Sequence, residues 1–127
     1  MNHKDGRISP KKLGHSFRYA FSGMADMFRE EANVRIHCIV AVLVIVAGFL
    51  FRISATEWLA VAVVIGLVIS AEAFNTAIER LADVVQPDRD DRIRDVKDLA
   101  AAAVLLCALA AAAVGLIIFL PKIFALF

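Results

Sequence analysis

The sequence predicts an all-α integral membrane protein: an amphipathic surface helix followed by three transmembrane helices. Three observations carry that expectation. Of the 127 residues, 61% are hydrophobic, and a mean hydropathy of +0.74 is too high for a small soluble domain. The apolar residues are gathered into runs at 38–51, 58–70 and 99–120, of which the last reaches the roughly twenty residues that cross a bilayer as a helix and the first two reach it with flanking residues. The basic residues are segregated by region rather than gathered on one face, so the net charge of +1 gives no reason to expect a nucleic-acid partner. A single membrane domain over residues 1–127 follows.

Residues 1–10 read as a flexible polar tail. Over 11–28, Leu13, Phe17, Phe21, Met24 and Phe28 recur at spacings of three and four, with Lys11, Lys12, His15 and Arg18 on much of the other face. That is the pattern of an amphipathic helix lying in a membrane surface or covering the end of a bundle. The run 38–51 is only fourteen residues long, so the first span is expected to begin earlier and cover 31–51. A polar hairpin follows, and Trp58 is placed as an interfacial anchor of a second span over 57–85. Pro87 ends that helix, because its ring cannot continue the hydrogen-bond ladder. Residues 88–98 hold five acids and four bases and read as a solvated loop or helix end. The third span covers 99–120 and is closed by Pro121 and Lys122. Its many alanines and Gly115 permit close helix approach, which replaces the missing hydrophobic driving force in lipid. Cys38 and Cys107 lie in apolar runs and read as packing residues.

Twelve of the fourteen Lys and Arg residues precede the first span or lie between the second and third, while only Arg52 and Lys122 fall on the other side. The positive-inside rule then puts the amino terminus and the second connection in the cytoplasm. The first 37 residues contain no apolar stretch of the kind a secretory signal needs, so no cleaved leader is expected.

Within the second span, Glu72, Asn75, Thr76, Glu79 and Asp83 fall in one narrow arc of the helix. Counted from Trp58 at 1.5 Å per residue, Glu72 lies roughly 21 Å and Glu79 roughly 31 Å along, across a hydrocarbon core of about 30 Å. Glu72 is therefore expected about 10 Å inside the membrane, where a carboxylate is costly and marks function by default. The bland alternative is a helix that leaves the bilayer near Ser70 with a solvated acidic face. Glu31, Glu79, Asp83, Lys97 and Asp98 gather at the same cytoplasmic face. Acids and a lysine there suit Mg²⁺ and phosphate chemistry: Mg²⁺ takes one or two carboxylates plus substrate phosphates, and phosphoryl transfer adds a cation and a base. No Walker A or G-x-G-x-x-G pattern occurs in the sequence. An ion or proton pathway would also use intramembrane carboxylates, and the residues alone leave both readings open.

The string Glu72-Ala73-Phe74-Asn75-Thr76-Ala77-Ile78-Glu79 with Asp83, followed by Val96-Lys97-Asp98 opening an Ala-rich span, resembles the prokaryotic diacylglycerol kinase family. Those are small three-span membrane enzymes and include the undecaprenol kinases. The resemblance runs over nearly the whole chain from about residue 12. It implies an ATP-dependent kinase of the bacterial inner membrane, acting on the primary hydroxyl of a lipid alcohol with its active site facing the cytoplasm. Glu72 would be the catalytic base and contact the lipid, and Glu31 and Glu79 would hold Mg²⁺. Lys12, Tyr19, Glu31, Asn75, Glu79, Asp88, Asp90, Lys97 and Asp98 would form the nucleotide end. The resemblance also implies a homotrimer with active sites shared between subunits. Residues 33–37, the Asn-Thr-Ala-Ile-Glu form and the stretch from Gly48 to Trp58 favour undecaprenol over diacylglycerol as acceptor.

Simpler roles stand beside these. Asp98 could be only the N-cap of the third span, Lys97 a snorkelling anchor, Tyr19 and His37 interfacial residues. The rival from another class is a non-enzymatic ion-conducting or assembly protein lined with acids.

Overall fold

In the computed structural model, residues 6–127 are described; the first five residues of the expected polar tail lie outside them. Four helices follow one another, α1 (Pro10–Glu30), α2 (Ala32–Leu50), α3 (Ala55–Val85) and α4 (Asp91–Phe124). The last three are long and apolar enough to cross a membrane. At 1.5 Å per residue α3 is about 46 Å long and α4 about 51 Å, so each outruns a hydrocarbon core of about 30 Å.

α1 starts with Ser9 as N-cap, its hydroxyl accepting from the Lys12 amide, and Pro10 in the first turn, where its missing N–H costs nothing. Its apolar stripe of Leu13, Phe17, Phe21, Met24 and Phe28 stays exposed, and Met27 is its one buried residue. Only the C-terminal end of α1 is therefore anchored. A single extended residue, Glu31 (φ −108, ψ 111), separates α1 from α2. Arg35, one turn into α2, donates from Nη1 to the carbonyls of Phe28 and Arg29 at 3.2 and 2.7 Å. That satisfies carbonyls the end of α1 would otherwise leave unpaired.

α2 and α3 form an antiparallel hairpin with a sharply defined turn. Arg52 takes a left-handed conformation (φ 51), the Ile53 amide bonds back to the Gly48 carbonyl and the Arg52 amide to that of Phe49. This is a Schellman termination, normally completed by Gly rather than Arg. Ser54 then opens α3 in a reciprocal capping box with Glu57. Gly48 permits the tight return: Trp58 lies where a side chain would start, its ring 4.9 Å from that of Phe49. Ile53, Val61 and Ile118 form the apolar core at this end, with Trp58, Phe51 and Phe119 around them.

α3 packs along α4 more extensively than any other pair, and it also packs against α2. Two ion pairs fix the α3–α4 register at opposite ends, Lys97 with Asp83 and Lys122 with Glu57, each at 2.6 Å. α3 ends as Pro87 dictates: Gln86, which caps it, is extended (φ −148, ψ 94), the conformation that a following proline imposes. The ends of α4 extend beyond the expected span. α4 begins at Asp91, so much of the charge run is helical, and Asp90 rather than Asp98 is its N-cap. Pro121 does not close α4, which continues to Phe124. A proline this late removes one hydrogen bond, and Lys122 Nζ donates to the Ile118 carbonyl nearby.

Asp90 accepts from the Arg92 amide and pairs with its guanidinium at 2.9 Å. The Arg92 side chain, then its backbone amide, holds the Asp90 carboxyl down from 3.8 to about 2. Because the folded value is depressed, the cap's contribution is complete above the ordinary carboxylate value and disappears as pH falls through about 2. In Arg92→Gln the Asp90 titration midpoint, followed by NMR of labelled aspartate, should move up toward the ordinary value. At the hairpin, Gly48→Val should destabilise by about 1–3 kcal/mol through overpacking against Trp58. Arg52→Gly should stabilise by about 1 kcal/mol by relieving the left-handed residue. Thermal midpoints in detergent micelles check both signs.

Candidate active site

The face that α3 turns toward its neighbours is a single seam. Val61, Ile65, Val68, Glu72, Asn75, Glu79 and Ala82 succeed one another at alternating steps of four and three, the spacing of helices that pack at a shallow angle. The first three are apolar and the next three polar, so a packing seam becomes a chemical site without leaving its helix. Among the polar residues on this side of α3, Glu72 is 3% exposed and Thr76 6%, Asn75 and Glu79 are half-buried, and Asp83 is exposed.

Glu72 meets α2. His37 Nε2 lies 3.1 Å from Glu72 Oε1, with the histidine side chain 25% exposed and the carboxylate 5%. His37 sits in the matching seam of α2, spaced by threes and fours with Val34, Ala41, Val44 and Gly48. To the sequence reading of His37 as an interfacial residue this contact adds a partner: it is half-buried, against the buried carboxylate. Its place in that apolar seam was the signal available, since a polar residue there needs a partner.

The same hairpin sets the height of Glu31. Six residues back from His37 lies Glu31, and seven on from Glu72 lies Glu79, so in an antiparallel pair the two glutamates stand at one level. The Glu30–Arg80 ion pair, 2.7 Å, fixes that level independently. Asn75 donates from Nδ2 to Glu79 Oε1 at 3.4 Å, while its Oδ1 is buried with no hydrogen-bond partner. Among the described residues no group of three or more His, Cys, Asp or Glu forms a ready-made metal cage. Two carboxylates at one level beside an orphaned amide oxygen nevertheless fit a Mg²⁺ ion whose remaining ligands are phosphate oxygens and water. Thr76, buried and on the same face as Glu72, was counted only as part of the stripe.

The remaining expected site residues are spread out. Lys97 on α4 is engaged with Asp83, and Asp98 is exposed. Asp88 is exposed in the α3–α4 connection, and the Asp90 carboxylate is occupied in capping α4. Lys12 and Tyr19 lie on the exposed arm of α1, about 27 and 17 Å along the helix from Glu30, and Tyr19 stacks on His15 at 6.5 Å. One protomer thus holds Asn75 and Glu79 together with Glu72 one to two turns deeper, sets Glu31 at their level by helix count, and leaves Lys12 and Tyr19 far along α1.

Running outward from His37 is a cleft of about 360 Å³ between α2, α3 and α4, lined by Val40, Ala41 and Val44, by Val61 to Ile69 at intervals, and by Ala108, Ala111, Ala112 and Gly115. α2 and α4 hardly touch across it, and the small residues of α4 create the space. His37 is the polar residue in its lining.

Comparison with known proteins accounts for this arrangement. A family model described as prokaryotic diacylglycerol kinase matches residues 18–119. The chain is 36% identical over 123 residues to an undecaprenol kinase of Bacillus subtilis, covering 97% of this chain and 100% of that one. It is 38% identical over 121 residues to a diacylglycerol kinase of Synechocystis, covering 94% and 69%. Against a diacylglycerol kinase of Pseudomonas aeruginosa it is 30% identical over 98 residues, covering 77% and 80%. A buried carboxylate on a membrane-length helix, the extent of the match and these relatives agree: the chain belongs to the prokaryotic diacylglycerol kinase family of membrane lipid kinases.

Proposed function

We propose that this kinase transfers the γ-phosphoryl group of ATP to the primary hydroxyl of a long isoprenoid alcohol, undecaprenol in preference to diacylglycerol. The observation that carries the reading is the cleft that ends at His37, the residue that meets Glu72. Its walls are hydrocarbon, which suits an acceptor whose only polar group is its hydroxyl. A diacylglycerol brings two ester carbonyls that would find no donors along those walls, and burying unpaired polar groups is unfavourable. The 36% identity to an undecaprenol kinase over its full length supports the same choice.

Glu72 acts as general base, accepting the hydroxyl proton as the lipid oxygen attacks phosphorus. Its depth suits that role, since the lipid headgroup reaches it from within the bilayer while ATP meets the exposed end of the stripe. Glu31 and Glu79 would hold Mg²⁺, with Asn75 beside them. The ion would neutralise charge on the β- and γ-phosphates. Lys97 and Asp98, one turn from the membrane face on α4, would meet the phosphates. Lys12, Tyr19, Asp88 and Asp90 would complete the nucleotide end. The active site faces the cytoplasm of a bacterial inner membrane, because twelve basic residues lie on that side. α1 lies in that surface with its exposed apolar stripe in lipid. Assembly as a homotrimer would let a neighbouring subunit supply groups that one protomer leaves distant, with the alanine-rich face of α4 available for close contact.

Purified protein in mixed micelles, given Mg²⁺ and γ-labelled ATP with each lipid separately, should phosphorylate undecaprenol well above diacylglycerol. The reverse preference would overturn the acceptor assignment, and no transfer to either would overturn the lipid-kinase reading. Glu72→Gln should lose at least a hundredfold in kcat with the KM for ATP little changed. Glu79→Gln should instead raise the Mg²⁺ concentration needed for half-maximal rate; unchanged Mg²⁺ dependence would remove it from the metal site.

A further inference from the structure

His37 holds a place that the catalytic scheme above does not use. It is the polar group that meets Glu72 among the described residues, at 3.1 Å, and it reaches that carboxylate from a different helix. It also lines the apolar cleft, so it joins the cleft to the buried carboxylate. Within its own seam, Val34 is 1% exposed and Ala41 and Val44 are apolar, so a polar ring there is unfavourable unless paired. The two polar groups face one another at 3.1 Å, and the pairing is specific to one register of the hairpin. A one-residue slip of α2 would rotate His37 by about 100° away from α3.

A general base works only when its oxygen is within hydrogen-bond reach of the proton that it takes. Glutamate has three side-chain torsions, and an otherwise unpartnered carboxylate in an apolar bundle would sample several of them. A donor on a neighbouring helix removes that freedom. We propose that His37 is a positioning residue for phosphoryl transfer: its Nε2–H donates to Oε1 of Glu72, leaving Oε2 directed at the hydroxyl of a lipid lying in the cleft. This inference rests on the lipid-kinase reading and on Glu72 as the base. In the step, the lipid O–H bond breaks and its proton passes to Glu72 Oε2. The lipid oxygen bonds to the γ-phosphorus, the bond from that phosphorus to the bridging oxygen breaks, and the electron pair leaves with ADP. The His37 proton stays on its nitrogen throughout.

Three variants test the role, each assayed in mixed micelles with saturating lipid and varied ATP. His37→Leu leaves the Glu72 carboxyl without its partner and should lower the thermal midpoint. Rates are therefore read well below that midpoint on protein whose helical circular dichroism matches wild type, and the glutamine variant serves as the folded control. The leucine substitution should lower kcat by about ten- to a hundredfold, the scale on which misplacement of a reacting group acts, with the KM for ATP within about twofold. His37→Gln puts an amide N–H close to where Nε2 stands and should recover kcat to within about threefold of wild type. His37→Asn, whose shorter amide stands near the other ring nitrogen, should not. Combined with Glu72→Gln, the leucine substitution should cost nothing further, because a residue that acts through Glu72 has nothing left to position.

A His37→Leu enzyme with wild-type kcat would overturn the proposal. So would equal rates for the glutamine and leucine variants, or a leucine effect that multiplies fully on the Glu72→Gln background. These results are distinct from failure of the lipid-kinase reading, which would show as a wild-type protein that phosphorylates neither lipid and would take this inference down with it.

Discussion

The burial of one carboxylate constrains the rest of the structure. Glu72 is 3% exposed, on a helix of membrane length whose preceding four turns are apolar. In such surroundings a carboxyl group needs a partner and a fixed place, since neither water nor lipid can serve it. The partner is His37, and the pair exists only if α2 and α3 run antiparallel in one register. The hairpin supplies that register through the left-handed residue at Arg52, the return bond to the Gly48 carbonyl and the Ser54–Glu57 capping box. Trp58 closing over Gly48 locks the turn. The far end of the bundle, where substrate would bind from water, therefore inherits its alignment from a turn at the opposite membrane face.

α4 contributes to the same alignment by ion pairs rather than by a turn. Lys122–Glu57 and Lys97–Asp83 lie at opposite ends of the α3–α4 contact, and between them Ala100 and Ala82 are both buried. Counting inward from the two pairs puts Cys107 and Ala108 at the height of Glu72. Small residues there leave room beside the carboxylate, and the cleft begins at that point. The alanines of α4 thus have two uses. One face lets α4 approach α3 closely, as helix association in lipid requires, and the adjoining face leaves space open to α2.

Much of this was legible in the sequence because it depends on periodicity and on the cost of polar groups in lipid. The all-helical class, three long apolar segments and the stripe from Glu72 to Asp83 follow from spacing alone. His37 was not found that way. A histidine between Ile36 and Cys38, at the edge of an apolar run, looks interfacial until one knows which α3 residue faces it, and facing depends on where the hairpin turns. At the ends of α4 one choice was left open and one was misread, for a related reason. The charge run before Leu99 becomes the first turns of α4 because Asp90 caps it and Arg92 pairs with that cap, local bonds that composition does not reveal. Pro121 is tolerated because helix beyond it needs only a few bonds. Glu31 breaks the helical path with neither Gly nor Pro, and its cause lies four residues away in the Arg35 guanidinium.

The site divides along α3 into two halves of opposite character, and the division is suited to joining a water-soluble donor to a bilayer-bound acceptor. Glu72 and Glu79 are seven residues, or about 10 Å, apart on one face. The deeper half is dry, carries its own partner in His37 and opens onto hydrocarbon. The shallower half is half-exposed, and its basic residues Lys97, Arg80 and Arg92 are engaged in pairs with Asp83, Glu30 and Asp90. A nucleotide phosphate would reach Lys97 only by sharing or displacing Asp83. Such an exchange costs little at a surface, where ion pairs contribute about 0–1 kcal/mol. At Glu72 it would be expensive, because removing His37 would leave a buried carboxyl without a partner. Rigidity is thus concentrated at the carboxyl proposed as the base for a lipid hydroxyl, and exchangeable pairing is concentrated at the end proposed for the charged donor.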